Sequence, residues 1–462
     1  MWRGYRTITR VSFSAAACAL LLLFVCGGAW AKELKAGDVI NKDNLDAVLQ
    51  DTFEGHTIDS MLPEPAKMLI RDYGLEMTLR HFEPVPRNED SLQLAEWNEK
   101  NVTFDAEANT VRNYYAGPPF PYLAYGYEGD KDLDMEDPNF ALKVMWMYYL
   151  NGYRMTTNAI LPDMKYLFID VGKGIERTQQ WTYRKVYMAG GYDPYEIDEP
   201  NQKLFQDYDV ESKSIVMATA PYDVKGVGTY SETPTGPKMP NTWVYVRSVR
   251  RIRRLAGGGW YDPVGGTDQL SDELNIINAH PSWYPKYKIL GKTWVLGIAH
   301  TRMPIWDAEN DTYPVYDTSH APYFLPVNDW EPRPCYIMEI TLPDAHPYKR
   351  RVVYMDRDFW YNHWGFSYDK RDELAKIQNF AHCCAVGEDS SYDDSPVRGK
   401  ANNAPMTMGG GGFVWDIKRN HATISVSDMS GLILNDPELD PSDVSVQVMK
   451  KLASGQITPY DY

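Results

Sequence analysis

A chain of 462 residues, 44% apolar and 24% charged, is long and apolar enough to bury a sizeable core, which excludes an intrinsically disordered polypeptide. Its formal net charge of -16 excludes attraction to nucleic acid or to an anionic bilayer through the overall field. Aromatic content is high, with 33 Tyr, 14 Trp and 14 Phe, and these side chains favour half-buried pleated surfaces.

In chain order the first element is an export signal. Arg3, Arg6 and Arg10 precede an apolar run from Ala15 to Val25, and Ala29-Trp30-Ala31 places small residues where a signal peptidase reads. The run is shorter than the ~20 residues of a membrane span. A signal peptide over residues 1–31, cleaved after Ala31, is expected. A lipid-modified Cys26 is disfavoured because Val25 stands where a small residue is wanted. The mature chain then keeps Cys335, Cys383 and Cys384, an odd number. A bridge from Cys335 to Cys383 or to Cys384 stays open. Adjacent ligands on a strand point to opposite faces, so His382-Cys383-Cys384 is not read as a metal site.

Asn41 as a cap, followed by Leu45, Val48 and Leu49, predicts a short helix to about Asp51. Pro65 to Tyr73, stopped by Gly74, predicts a second. Leu75, Met77 and Leu79 alternate as a strand does. After the rigid loop Gly117 to Pro121, residues 140–153 read as a helix, with Val144, Met147 and Tyr148 on one face. From Met164 onward the pattern is mostly β. Met164, Tyr166 and Phe168 alternate, as do Trp181 and Tyr183. Further strands are predicted at 213–220, 241–252, 286–298, 335–342, 348–356, 379–387 and 421–427. Turns are read at 190–191, 234–237, 257–259 and from Gly409 to Gly412. Residues 299–334 and 388–405 read as long loops, a kind that usually covers something. The sum is a large antiparallel sheet, barrel or sandwich.

Three clusters carry chemistry. In the first, Thr242 to Arg254, five Arg stand within eight residues. On one strand, Trp243, Tyr245, Arg247, Arg251 and Arg253 share a face. That face suits a phosphate or carboxylate; the other reading is an Arg ladder paired with neighbouring acids. The second, Trp260 to Glu273, is rich in acids but lacks calcium-loop spacing, and turn formation by Asp explains it more simply. The third is Arg350 to Tyr361, in which Asp356-Arg357-Asp358 reads as a tight turn. No nucleophile elbow, zinc-protease helix, Cys-x-x-Cys or P-loop is present, so no enzyme is predicted and no metal or cofactor is called for.

The stretch from Trp243 to Tyr361 resembles the bacterial family known as domain of unknown function 1329. The likeness rests on the aromatic-x-Tyr strand running into Arg250-Arg251-x-Arg253-Arg254, on Tyr261-Asp262-Pro263 with the acid pair Asp272-Glu273, on Tyr287 to Lys292, and on Lys349-Arg350 with Tyr354, Asp356, Asp358 and Trp360. Gly37 to Asn41 and Pro119-Phe120-Pro121 extend it upstream. The chain departs from the family at Ile298-Ala299-His300-Thr301. The resemblance implies a fold like that of the periplasmic lipoprotein carrier and its outer-membrane receptor. That fold is α+β, a half-open antiparallel barrel with short helices on its concave side. It also implies a periplasmic location, and a lipid, lipoprotein or other hydrophobic ligand as partner. An inner-membrane exporter of the resistance-nodulation-division class is a further implied partner.

The expected organisation is a signal peptide (1–31), an N-terminal helical segment (32–74) and a carrier-like β domain (75–462), most diagnostic over 241–370. The expected function is non-catalytic binding and transfer of a hydrophobic molecule, with Trp243, Tyr245, Arg247, Arg251 and Arg253 lining the ligand. The alternatives are a structural accessory protein of an export complex and, less favoured, a hydrolase or metal-dependent enzyme.

Overall fold

The computed structural model describes residues 31–85, 96–114, 119–120, 123, 136–150, 157–188, 209–246, 251–255, 259–385, 406–434, 436, 438–439 and 441–461. The signal segment up to Trp30, Arg247, the 190–191 turn and the 388–405 loop lie outside them. No helix among the described residues is long and apolar enough to cross a membrane.

One sheet of sixteen strands dominates. Its strands are β1 (Val39–Ile40), β2 (Met77–Leu79), β3 (Asn158–Asp170), β4 (Gly174–Tyr187), β5 (Val210–Ala220), β6 (Gly228–Pro234), β7 (Asn241–Val246) and β8 (Arg251–Arg254). They continue as β9 (Lys286–Gly297), β10 (Asp329–Thr341), β11 (Arg350–Asp356), β12 (Asn362–Tyr368), β13 (Leu374–Ala385), β14 (Met406–Asp416), β15 (His421–Ser427) and β16 (Ile433–Leu434). The order is β1-β2-β10-β11-β12-β13-β14-β15-β3-β4-β5-β6-β7-β8, with β9 also on β10 and β16 on β3. Neighbours are antiparallel except β2 and β10. Among the described residues the sheet is half-open: it does not close, and β8 is its last strand. The mainly β fold with a few short helices read from the sequence is the fold observed.

The helices that pack on this sheet include α1 (Leu45–Val48), α2 (Ile58–Met61), α3 (Glu64–Tyr73), α4 (Phe140–Tyr149) and α5 (Val446–Ser454). Pro65 in the first turn and the left-handed Gly74 cap bound α3, as its sequence predicts. The helices lie on both faces. Leu45, Ile58, Leu69 and Ile70 join Leu167, Ile169, Phe413 and Trp415 in one core. On the other face, Val144 and Met147 of α4 join Tyr336, Met338, Ile340, Val353 and Met355. With both faces covered, β12 is buried almost throughout and shows no alternation, so its sequence gives no strand signal. A third core sets Met449 and Leu452 of α5 against Ile215, Met217, Tyr230 and Tyr245. Buried Arg184 of β4 donates to the Thr458 and Pro459 carbonyls and ties down the tail behind α5.

Several expectations need correction. Residues 241–252 are not one strand. The chain reverses after Val246, and β7 pairs with β8 from Trp243↔Arg254 to Val246↔Arg251. Gly409 to Gly412 is no turn but lies inside β14. A Cβ at Gly412 would stand 2.5 Å from the Phe380 ring, and one at Gly410 would strike Ile305, so the glycines let neighbours lie on the backbone. The 299–334 loop is shorter than read, because Asp329 begins β10. What remains of it buries Ile305, Trp306, Val315 and Phe324 over the first core. Cys335 carries a free thiol, so neither disulfide left open above forms at it.

Candidate functional site

The first predicted cluster folds as a hairpin, and that splits its single face in two. Register across the last five strands gives two rows. One row is Arg184, Ile215, Tyr230, Trp243 and Arg254, and it lies on the side of α5. Trp243 and Tyr245 thus pack towards α5, Tyr245 fully and Trp243 in part. The opposite row is Tyr183, Val216, Thr229, Val244 and Arg253. Tyr183, Val216, Thr229 and Val244 are half-exposed; Arg253 and Arg251, on the same side, are exposed. The five residues read as one ligand-facing strand therefore divide: two turn to the helix, two to the open face, and Arg247 lies outside the described residues. An alternating pattern of aromatic then Arg continues through residues 243–253 without Gly or Pro, so no sequence signal marks the reversal.

The acid pair of the second cluster has a structural use. Asp272 and Glu273 are fully buried, and Arg351 of β11 lies between them, its Nη2 3.2 Å from each carboxylate. Arg351 also donates to the Asp272 and Ile276 carbonyls and to Ser367 Oγ. Lys376 of β13 closes the set, 2.8 Å from Glu273 Oε2. Burial pushes the Asp272 carboxyl up, but Arg351 and His346 beside it hold it below the ordinary range. These carboxylates are occupied by cations of the chain. They clamp the 259–285 segment onto the sheet, and a metal has no claim on them.

The third cluster contains the tight turn that was predicted, and more. Asp356 at its start is shared by Arg333 Nε (2.7 Å) and His363 Nε2 (2.9 Å), all three fully buried. Arg333 also reaches Asp358 (3.0 Å) and the Glu83 carbonyl (2.6 Å). Val85 N–H donates to Asp358 and Glu83 N–H to Glu331, so residues 80–85 are stitched to the turn. His300 meets Glu331 at 2.7 Å. Burial raises the Asp356 carboxyl, yet Arg333 and His363 hold it far below the usual carboxylate range.

Cys335, Asp356 and His363 offer ligand atoms within 4.8 Å of one another. They fit a metal poorly. The Arg333 guanidinium already lies against the same carboxylate oxygen that His363 touches, and a cation there would meet it at close range. Burial, with Asp356 adding to it, pushes the Cys335 thiol well up, so it is neither a ready ligand nor a nucleophile. His363 Nδ1 faces Gly297, where a Cβ would stand 2.7 Å away, so no substrate atom reaches it. Carboxylate and imidazole are paired here without the access that acid–base catalysis needs.

His382 extends this network. Its ring lies 5.3 Å from that of His363, and its Nε2 is 3.1 Å from the Asn362 carbonyl. Burial, then the neighbouring His363, depresses it from 6.5 to about 3. Between those values the unfolded chain binds one proton more than the folded one. Stability is then complete above the unfolded value and falls as pH drops through the window, by up to about 1.4 kcal/mol per pH unit. Urea midpoints taken from neutral pH downward are expected to fall along that slope, and His382→Gln to flatten it; an unchanged slope in the variant would contradict the assignment.

Among curated proteins none matches the chain. Three solved structures share features of the fold at low identity. A domain from Vibrio parahaemolyticus, described as an outer membrane lipoprotein-sorting protein, is 13% identical with a TM-score of 0.40, over 63% of this chain and 91% of its own. A DUF1329 family protein from Desulfovibrio piger is 14% identical with a TM-score of 0.40, over 64% and 92%. A LolA superfamily protein from Nitrosomonas europaea is 10% identical with a TM-score of 0.36, over 67% and 98%. The sequence match is broader: the family described as "Protein of unknown function (DUF1329)" fits residues 39–422, most of the chain and all three clusters. The protein belongs to the DUF1329 family.

Proposed function

We propose that the protein is a non-catalytic periplasmic binding protein that takes up a lipid or another hydrophobic molecule and passes it on. The observation that supports this most is the row Tyr183, Val216, Thr229, Val244 and Arg253. It runs across the last five strands of a sheet that does not close, half-exposed until it reaches a guanidinium at the edge. Such a row offers apolar contact along its length and an anion partner at its end, the order in which an acyl chain and its head group present themselves. Each methylene removed from water is worth about 0.8 kcal/mol, so a fourteen-carbon chain needs roughly 10 kcal/mol of shelter to cross an aqueous space. Export by the N-terminal signal and a role in lipoprotein sorting, or beside a resistance-nodulation-division exporter, are the finer parts of the proposal. They rest on the signal pattern and on the family resemblance.

Of the residues first read as ligand-lining, Arg251 and Arg253 stay in the proposal. Trp243 and Tyr245 support it only as the packing that seats α5. A fluorescent fatty-acid probe titrated into the mature protein tests the row. Thr229→Glu/Val244→Glu places charge on it at two half-exposed positions and is expected to weaken binding about tenfold or more. Unchanged affinity would remove the row from the account.

A further inference from the structure

Among the described residues, no strand pairs with the outer side of β8. The 2.8 Å hydrogen bond from Leu255 N–H to the Thr242 carbonyl fixes the phase of the β7–β8 ladder. Leu255, Arg253 and Arg251 turn their main-chain groups towards β7, and the N–H and C=O of Ile252 and Arg254 point away from the sheet. No strand of the described residues takes them, because β8 ends the strand order.

Among the described residues, the side chains on that edge cluster unpaired cations, where the exposed Arg112, Arg177 and Arg371 stand singly without an acid. Arg251, Arg253 and Arg254 are all exposed. The chain holds 63 Asp and Glu, yet among the described residues none of the three meets a carboxylate. Arg254 instead leans on Asn241 and over the Trp243 ring, 5.7 Å from its centre. Elsewhere in the fold, Arg71, Arg80, Arg302, Arg333, Arg350 and Arg351 all find acids.

We propose that β8 is a docking strand for an extended acidic segment of a partner protein. The segment adds to the sheet edge main chain to main chain and sets its carboxylates over Arg251, Arg253 and Arg254. A second copy of this chain is a poor occupant, since β8 against β8 brings Arg opposite Arg. An anionic membrane surface has no use for the outward N–H and C=O groups, and it repels a chain of net charge -16. The inference shares Arg251 and Arg253 with the ligand reading, but it rests on the outward main-chain groups of the edge and on Arg254, which the ligand row does not use. Charged side chains on an edge also serve to prevent pairing, and on that account alone nothing docks here.

Three labelled probe peptides, titrated into the mature protein and followed by fluorescence anisotropy, separate these cases: alternating Glu-Val, alternating Lys-Val and alternating Glu-Pro heptapeptides. Glu-Val is expected to bind, more weakly as salt rises, and Lys-Val not to bind. Glu-Pro carries the same charge but lacks half the donors, and is expected to bind about tenfold or more weakly. Arg251→Glu/Arg253→Glu, both at exposed positions, is expected to abolish Glu-Val binding with the circular dichroism spectrum unchanged. Three outcomes would overturn the proposal. They are equal binding of Glu-Val and Glu-Pro, no binding of either, and binding of phosphatidylglycerol vesicles in place of peptide. Arg254→Glu, on the α5 side and outside the ligand row, is expected to weaken Glu-Val binding and leave fatty-acid binding unchanged, which keeps the two readings distinct.

Discussion

Arg351→Met is expected to cost about 3–5 kcal/mol of stability, because it removes the guanidinium shared by two buried carboxylates and leaves Lys376 to Glu273 alone. Asp272 and Glu273 are fully buried, and Arg351 is the guanidinium between them. Methionine fills much of the space but supplies no donor, so the Asp272 and Ile276 carbonyls lose a partner as well. A domain's whole stability is about 5–15 kcal/mol, so the change takes a large share of it. Chemical denaturation of the variant beside the native protein measures the difference. Adding Asp272→Asn/Glu273→Gln to Arg351→Met is expected to recover part of the loss, since the uncompensated charge is then gone. A loss below about 1 kcal/mol in Arg351→Met would mean that the clamp is not the main tie of the 259–285 segment.

Asp356→Ala is the second large effect, also about 3–5 kcal/mol, and it acts by leaving a buried guanidinium short of its carboxylate. Arg333 and His363 both lean on this carboxylate and are fully buried. Arg333 keeps Asp358 and the Glu83 carbonyl, so the turn loses its centre but not all of its bonds. Asp356→Asn is expected to lie between the two, because its amide oxygen still accepts one hydrogen bond. The segment at residues 80–85 hangs on the same network. Hydrogen exchange at Glu83 and Val85 amides is therefore expected to rise in Asp356→Ala more than exchange in α5. Uniform exchange across the chain would show that the network does not hold this segment.

Much of the β architecture is legible because most strands of this sheet alternate. β9 and β15 read correctly from that period, and the alternations at Met164–Phe168 and Trp181–Tyr183 fall inside the longer β3 and β4. Where alternation fails, the reasons differ. β12 is covered on both faces, so its residues are nearly all buried and carry no period. β14 hides behind glycines whose purpose, making room for Phe380 and Ile305, depends on residues distant in sequence. The β7–β8 hairpin hides because its reversal has neither Gly nor Pro. The charged clamp was visible as residues and not as a clamp. Arg351 lies 79 positions from Asp272, and nothing local says that they meet. The Asp356 turn was read correctly, but its buried partners Arg333 and His363 come from other strands. The family resemblance, by contrast, ran through both networks, and the fit over residues 39–422 bears it out.

On the function proposed above, this half-open sheet carries a hydrophobic molecule without chemistry. Native mass spectrometry of the protein isolated from its native cells under gentle conditions, followed by lipid extraction, is the measurement for this. The account predicts a bound apolar molecule of defined mass that is released unaltered. A bare protein mass together with an empty extract, or a ligand that the protein converts on incubation, would contradict it.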